Sequence, residues 1–508
     1  MGSGSTSTGT RFSLALIAIA SLFTVLAFII RIHQLQASSC FIAAVALSLI
    51  AFQSKKLVRD FFIYGFIIHL VAFYWLPDTL KVFGGFNESV AWAVHILFAA
   101  TAAVQWIIVG FLTRKLRSFI GTTAFPIAYL VTDMSFPQLF PWSFANPLIS
   151  FHPLSALAEF YGSKGVSFLL LLLVTTLVAT FLLRQRKSQI AVEIAILVVL
   201  GLGFALDERA KKQISESVPI RLALVQGNIS LEDKSSKELF SSNLAQFREL
   251  SKRGLEQGAE VVVWPETTNE DWTPNRMTSI RGTHFDPTEG MEMNLLYGLL
   301  SYEGRRPEEL KTFNAAFLVG SDGSVQGRYA KRVLMPFGEF LPFERYFPWL
   351  RDISPMTGKF EAGITSAPLE LQLSDKIFRP AVLICYEDLV PLLTRESVNA
   401  GANILVNITN DAWYGDTASP WQHTLLASWR TIESRRALVR STNTGITTIV
   451  SPRGDMLRHL DTFKKDILVD EAPLLNVSTL YSQYGDLPLI GLALLTTVVA
   501  YFVNRKNN

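Results

Sequence analysis

Three side chains far apart in the sequence, Glu266, Lys331 and Cys385, are of the types that together move an acyl group. A thiol is a better nucleophile at neutral pH than a hydroxyl, but only once its proton is gone, which gives a carboxylate such as Glu266 a task beside it. An ammonium such as Lys331 favours the thiolate and can stabilise the oxyanion formed when that thiolate attacks a carbonyl. Glu266 ends the run Val261-Val262-Val263-Trp264-Pro265, and Cys385 ends Val382-Leu383-Ile384. Lys331 closes Gly327-Arg328-Tyr329-Ala330. Residues at strand ends are placed to project into a cleft. Taken singly, each has a plainer explanation: Cys385 as inert core, Glu266 as a helix-start neighbour, Lys331 as a solvated charge. The three together reverse those odds.

The elements that must position them alternate between short apolar runs and helical stretches. Arg221-Leu222-Ala223-Leu224-Val225, Val261-Val262-Val263-Trp264, Ala381-Val382-Leu383-Ile384 and Ile404-Leu405-Val406-Asn407 read as strands apolar throughout. Such strands, separated by helices, predict an α/β domain whose sheet is covered on its faces. The chain has two cysteines, Cys40 in an apolar run and Cys385 in the polar domain, so no disulfide framework exists. Cysteine poverty suits a domain facing an oxidising compartment.

Of the 508 residues, 49% are hydrophobic and 18% charged, and the mean hydropathy is +0.30, too apolar for a soluble protein of this size. Apolar runs at Phe12–Ile30, Gln36–Phe52, Phe61–Leu76, Val90–Leu112, Ile120–Phe136, Gly165–Leu183, Ile190–Ala205 and Leu487–Val503 predict eight membrane spans. Basic clusters follow spans two, four and six (Lys55, Lys56, Arg59; Arg114, Lys115, Arg117; Arg184, Arg186, Lys187), and Arg505 and Lys506 close the chain. If the spans alternate, all these clusters fall on one side. The positive-inside rule then puts both termini in the cytoplasm and the polar domain outside it. The organisation expected is a disordered Gly/Ser/Thr tail at 1–11, a seven-helix bundle at 12–207, a catalytic domain at 208–486, and a final span with a cytoplasmic tail at 487–508. The Pro-, Trp- and Phe-rich stretch Pro137–Lys164 reads as an interfacial aromatic belt in preference to a gate admitting lipid.

Trp264-Pro265-Glu266, Tyr329-Ala330-Lys331 with Pro336-Phe337-Gly338-Glu339, and Cys385-Tyr386-Glu387 resemble the Glu, Lys and Cys motifs of the nitrilase superfamily, in the form carried by the apolipoprotein N-acyltransferase family. The resemblance implies an αββα nitrilase-like domain outside the membrane, preceded by seven spans and followed by one. It implies Glu266, Lys331 and Cys385 as the catalytic triad and Glu339, Tyr386 and Glu387 as their support. Asp388 reads as an ordinary surface salt-bridge partner. Asn407-Ile408-Thr409-Asn410-Asp411-Ala412-Trp413-Tyr414-Gly415 resembles a nitrilase strand and active-site loop, with Asn410, Trp413 and Tyr414 as expected substrate contacts. Gln226-Gly227-Asn228 is not followed by the Trp that the family leads one to expect.

The expected activity is transfer of an acyl chain from a membrane phospholipid to the N-terminal amine of a diacylglyceryl-cysteine lipoprotein, through a thioacyl enzyme on Cys385. A monomer in the bacterial inner membrane, with its catalytic domain on the periplasmic face, is the expected setting. Phe340-Leu341-Pro342-Phe343 and Tyr346-Phe347-Pro348-Trp349-Leu350 read as an apolar lid, with Phe340 and Trp349 touching acyl chains. A membrane-anchored amidase and a non-catalytic lipid-binding or transport protein are the alternatives. The spans show no paired charges marking a pathway, and His69, His95 and Asp133 are left without a role. A net charge of +3 without a basic patch gives no support for nucleic acid. No metal-ligand spacing or phosphate-binding glycine loop is present, so neither metal nor cofactor is expected.

Overall fold

The computed structural model describes residues 4–183, 186–284, 286–306, 309–336, 338–353 and 357–507. Phe337 of the lysine-side motif, Arg184 of the third basic cluster and the first three residues of the expected tail lie outside the described residues. Two compact units emerge, one of Met1–Pro77, Asn87–Ala210 and Thr479–Asn508, the other of Asp78–Phe86 and Lys211–Ser478.

The first unit is helical. In chain order its elements are α1 (Gly4–Ile29), α2 (His33–Gln53), α3 (Leu57–Ala72), α4 (Leu76–Gly84), α5 (Glu88–Ile120), α6 (Ala124–Ser135), α7 (His152–Ser155), α8 (Ala158–Leu183) and α9 (Arg186–Ser215), with α4 and α9 running on into the second unit. Helix α1 starts inside the stretch expected as a disordered tail, because backbone hydrogen bonding extends back from the apolar run over Ser and Thr. Among the described residues five segments are long and apolar enough to cross a membrane. They are Arg11–Ile29, His33–Gln53, Glu88–Ser135, Ala158–Leu182 and Leu487–Lys506. The pair Leu57–Ala72 and Leu76–Val82, bent by 51°, makes a sixth if it is one span. Glu88–Ser135 covers 48 residues, more than double the roughly 20 that one crossing needs, and is broken between α5 and α6 at Gly121, whose φ is 58°, near the boundary expected between spans four and five.

Most of Pro137–Lys164 does not form a surface belt. Trp142, Phe144, Leu148, Ile149 and Leu154 are buried in the helical unit. The Trp142 indole N–H donates to His69 Nε2 at 3.3 Å, Ser143 Oγ donates to Asp133 at 2.8 Å, and Phe144 N donates to Tyr129 Oη at 2.9 Å. His69 and Asp133 thus anchor this segment, and His95 Nε2 lies 3.0 Å from the Leu70 carbonyl. Cys40 is buried, with its Sγ 3.3 Å from the Phe144 carbonyl. A charged pair does exist between α8 and α9, where buried Glu159 meets Arg209.

The second unit holds two sheets. Its strands are β1 (Val218–Gln226), β2 (Val261–Val263), β3 (Asn269–Pro274), β4 (Leu295–Glu303), β5 (Lys311–Val319), β6 (Val325–Ala330), β7 (Leu371–Gln372), β8 (Ile377–Phe378), β9 (Pro380–Ile384), β10 (Ile404–Thr409), β11 (Leu438–Thr442), β12 (Thr448–Val450), β13 (Met456–His459) and β14 (Asp466–Leu474). The helices α10 (Leu231–Ser235), α11 (Phe240–Glu256), α12 (Leu350–Ile353), α13 (Pro391–Asn399) and α14 (Ser419–Ser434) connect them. The chain then ends in α15 (Leu480–Tyr484) and α16 (Leu487–Asn507) of the first unit. One sheet runs β14-β1-β2-β4-β5-β6, with β3 also on β4, and the other runs β13-β12-β11-β10-β9, while β7 and β8 pair separately.

Alternation along the strands builds the layers. Leu222, Leu224, Val263, Leu296 and Leu318 of the first sheet share one core with Val382, Ile384, Val406, Ile408 and Val439 of the second. Ala223, Val225, Val262, Leu295 and Phe317 point the other way, onto Leu244, Phe247 and Leu250 of α11. Helices α13 and α14 pack on β9 and β11, so the order is helix, sheet, sheet, helix. Every strand of the sandwich centre is covered twice, which is why these runs are apolar without alternation. Each fully buried Val, Leu or Ile contributes about 1.5–3 kcal/mol.

Candidate active site

Of the parallel strands, β2 of one sheet leads into Glu266, and β9 and β10 of the other lead into Cys385 and Asn410. Glu266 follows β2 and is buried. Trp264 fixes the approach to it, stacked on Phe247 with centroids 5.0 Å apart and donating its indole N–H to Ser251 Oγ at 2.8 Å. Glu266 Oε1 accepts from Asn314 Nδ2 at 2.7 Å, and Oε2 accepts from the Asn410 backbone N–H at 3.1 Å. Lys234 Nζ reaches the Glu266 carbonyl at 3.1 Å.

Lys331 follows β6 and is only 2% exposed. Its Nζ lies 2.8 Å from Glu339 Oε2 and 3.5 Å from Glu266 Oε1. Burial works to lower its pKa, but the charges of Glu266, Cys385 and Glu339 outweigh burial and hold the ammonium well above the usual lysine range. Glu339 also accepts from Asn314 Nδ2 and from Met335 N, both at 2.8 Å. One asparagine amide therefore spans the two carboxylates that grip the lysine.

Cys385 begins the tight turn Cys385–Leu389 directly after β9 and takes a left-handed backbone, φ 53°. For a non-glycine residue this is a costly conformation of the kind found at functional sites. Asn407 Nδ2 donates to the Cys385 carbonyl at 3.0 Å and to that of Leu383 at 3.1 Å. Burial first, then the charges of Glu266 and Asp411, raise the thiol well above the ordinary cysteine value, against the opposing pull of Lys331 and Thr409.

Glu387 is fully buried and joins the nucleophile turn to the lysine strand. Its Oε2 accepts from Tyr329 Oη at 2.9 Å and Ile384 N at 2.8 Å, and its Oε1 from Arg332 N at 2.6 Å and Val333 N at 3.0 Å. Tyr386 is half-buried, and burial pushes its phenol up to about 12. Tyr414 lies within electrostatic reach of Cys385, Asp411, Lys331 and Glu266; burial first, then Cys385, Asp411 and Glu266, raise its phenol well above the usual tyrosine range, against the opposing pull of Lys331. Trp413 is half-buried beside it. Asn410 is buried, its side-chain oxygen turned to Ala412 N and Asn443 Nδ2, while its backbone N–H donates to Glu266. Phe340 is half-buried and Trp349 56% exposed, in an arm where Phe343 and Tyr346 are 70% and 73% exposed. Arg351 pins that arm with a two-pronged contact to Glu344 at 2.9 and 2.6 Å.

Asp388 is not a surface residue. It is fully buried in the nucleophile turn, against His423 Nε2 at 2.9 Å and the Arg440 guanidinium. Asn314 and Asn407 also escape a reading of motifs, although a lone Asn inside the apolar runs of β5 and β10 is a detectable signal. Among the described residues no cluster of His, Cys, Asp and Glu could hold a metal ion.

Residues 221–480 match the carbon–nitrogen hydrolase family, and residues 20–176 match the apolipoprotein N-acyltransferase N-terminal domain. The apolipoprotein N-acyltransferase of Geobacter metallireducens is 29% identical over 461 residues, 85% of each chain. That of Bdellovibrio bacteriovorus is 30% identical over 421 residues, 77% of this chain and 76% of its own. Among solved structures, a Nesterenkonia amidase from the nitrilase superfamily is 20% identical with a TM-score of 0.37, covering 52% of this chain and 93% of its own.

Proposed function

The chain belongs to the apolipoprotein N-acyltransferase family, and on that premise we propose that a phospholipid is its acyl donor and that Cys385 carries the acyl chain to the lipoprotein amine. It is an acyltransferase of lipoprotein maturation and an integral membrane protein. The observation that carries the catalytic reading is Lys331 held between Glu339 and Glu266 at 2.8 and 3.5 Å, within electrostatic reach of Cys385.

In the first half-reaction Glu266 takes the thiol proton as Sγ attacks the ester carbonyl of the phospholipid. The oxyanion that develops is stabilised by the Lys331 ammonium, whose carboxylate partners already fix its direction. Collapse breaks the ester C–O bond, and the proton on Glu266 passes to the departing lysophospholipid oxygen. In the second, the α-amine of a diacylglyceryl-cysteine lipoprotein attacks the thioester, a C–N bond replaces the C–S bond, and the amine's proton returns through Glu266 to sulfur. Tyr386 and Glu387 keep the nucleophile turn in place, and Trp413 and Tyr414 with Phe340 and Trp349 offer apolar surface to the acyl chain.

Eight crossings, a 12–207 bundle and a 208–486 catalytic domain on the periplasmic face of the bacterial inner membrane complete the proposal, with a monomer as the working unit. The alternation of the basic clusters after Phe52, Leu112 and Leu183 supports this orientation. The test is intact-protein and peptide mass spectrometry after incubation with phospholipid. An acyl adduct on Cys385, released by a lipoprotein amine and not by water, is expected. An adduct elsewhere, or full turnover by Cys385→Ala, would sink the proposal.

A further inference from the structure

Behind the nucleophile lies a closed ring of four buried charges. Asp388 Oδ1 meets His423 Nε2 at 2.9 Å, His423 Nδ1 meets Asp411 Oδ1 at 3.2 Å, Asp411 Oδ2 lies 3.7 Å from an Arg440 nitrogen, and Arg440 returns to Asp388. The four come from different elements: the Cys385–Leu389 turn, helix α14, the turn Asp411–Tyr414 and strand β11. All four are at most 8% exposed.

Stability alone does not account for such a ring. Taking four charged groups out of water costs several kcal/mol per ion, and well-packed apolar residues of similar volume commonly serve a fold as well or better. Its members' positions say what it holds. Asp388 is three residues past Cys385, in the same turn. Asp411 directly follows Asn410, whose backbone N–H donates to Glu266. The space is closed as well: a Cβ at position 445 would lie 2.2 Å from Asp411 Oδ2, so Gly445 leaves the carboxylate no room on that side.

We propose that Asp388, His423, Asp411 and Arg440 are positioning residues for acyl transfer, a charge-balanced ring that locks the turn bearing Cys385 to the turn that holds Glu266. The inference rests on the reading of Cys385 and Glu266 as nucleophile and base. With His423 protonated, two cations meet two carboxylates and no net charge faces the forming thiolate. With His423 neutral, one negative charge is left over beside Cys385, where Asp411 already opposes ionisation. The charged groups facing His423 are Asp388 from the nucleophile turn, Asp411 from the loop after β10, and Arg440 from β11. Burial pulls its pKa down, yet the carboxylates carry it up to about 9.

The experiment uses the full chain in detergent with phospholipid and no acceptor, following acylation of Cys385 by mass spectrometry across pH. Wild-type acylation is expected to decline as pH rises through about 9. His423→Gln is expected to acylate roughly a hundredfold more slowly, with an unchanged KM for phospholipid and without that decline. An unaltered rate in His423→Gln overturns the proposal, as does a slower rate that keeps the alkaline decline, which marks a packing residue. If His423→Gln does not fold, Arg440→Lys against Arg440→Met decides: a rate retained by Lys supports the ring, and equal loss in both refutes it. Absence of any wild-type adduct on Cys385 overturns the nucleophile reading itself and this inference with it.

Discussion

Gly298 lies on β4 directly against the loop that carries Glu266, the proposed base. Its N–H donates to the Pro265 carbonyl at 3.1 Å, and its own carbonyl accepts from Thr268 N and Thr268 Oγ1, each at 2.9 Å. A methyl group there would sit 2.6 Å from Glu266 Cα and from Thr267 N, and 2.7 Å from Pro265 O. Ordinary contact begins near 3.4 Å, so Gly298→Ala requires the Glu266 loop to retreat by about 0.8 Å, since backbone cannot rotate aside as a side chain does. The loop has little slack, because Thr267, a β-branched residue, already sits at φ 51°. A displacement of this size at a general base costs on the order of a hundredfold in rate, or about 2.7 kcal/mol of activation free energy. Overpacking costs a further ~1–3 kcal/mol of stability. Single-turnover acylation of Cys385, measured by mass spectrometry on protein that still elutes as a folded species, reads the effect. The loss should fall on the acylation rate, with phospholipid KM unchanged. Wild-type acylation in a folded Gly298→Ala variant would refute the claim that Glu266 must sit where β4 holds it.

Glu387→Ala orphans the N–H groups of Ile384, Arg332 and Val333, each costing about 1–3 kcal/mol. A thermal midpoint lowered by several degrees in detergent is expected, and an unchanged midpoint would show that the carboxylate does not tie the two strand ends together. Because Glu266 helps to raise the thiol of Cys385, Glu266→Gln should speed iodoacetamide alkylation at alkaline pH while phospholipid acylation collapses. Parallel losses of both would contradict the base assignment. His423 stabilises the fold through a value raised from 6.5 to about 9. That contribution is complete below pH 6.5 and disappears as pH climbs through 9. The thermal midpoint should fall across that window in wild type and stay level in His423→Gln. Replacing Phe343, Tyr346 and Trp349 together with Ser should raise the apparent KM for vesicle phospholipid several-fold, leaving the rate with a short-chain soluble ester near wild type, and a loss confined to the soluble ester would count against a lipid-facing arm.

The placement of Glu266, Lys331 and Cys385 just beyond strand ends was legible because each ends a recognisable run of apolar or aromatic residues, and a strand end is local information. The double cover of the strands was legible for the same reason. What escaped is non-local. Nothing around Asp388 says that His423 and Arg440, distant in sequence, will close over it, so a buried carboxylate reads as a solvated one. Pro137–Lys164 shows the same blindness in the helical unit, where an aromatic-rich loop looks interfacial until His69, Tyr129 and Asp133 supply the partners that draw it inside. Helix α5 runs past Leu112, the expected end of its span, through the Arg- and Lys-bearing turns to Ile120, and breaks only at Gly121. Asn314 and Asn407 were visible as oddities within apolar strands, but their meaning depends on which carboxylate or carbonyl lies opposite.

The pairing of β1 with β14, in register from Val218↔Leu474 to Gln226↔Asp466, has a bearing on how the protein is made. It joins strands separated by most of the second unit's continuous stretch Lys211–Ser478, and loop closure over such a length is slow. Until residue 474 has left the ribosome, β1 remains an edge strand with an unpaired row of amides and carbonyls, open to adventitious pairing. Helix α16, long and apolar enough to cross a membrane, follows almost at once, at Leu487. Completion of the sheet and synthesis of the apolar helix α16 therefore fall close together, and a chain stalled shortly before β14 would lack both the strand that covers β1 and the helix that follows it.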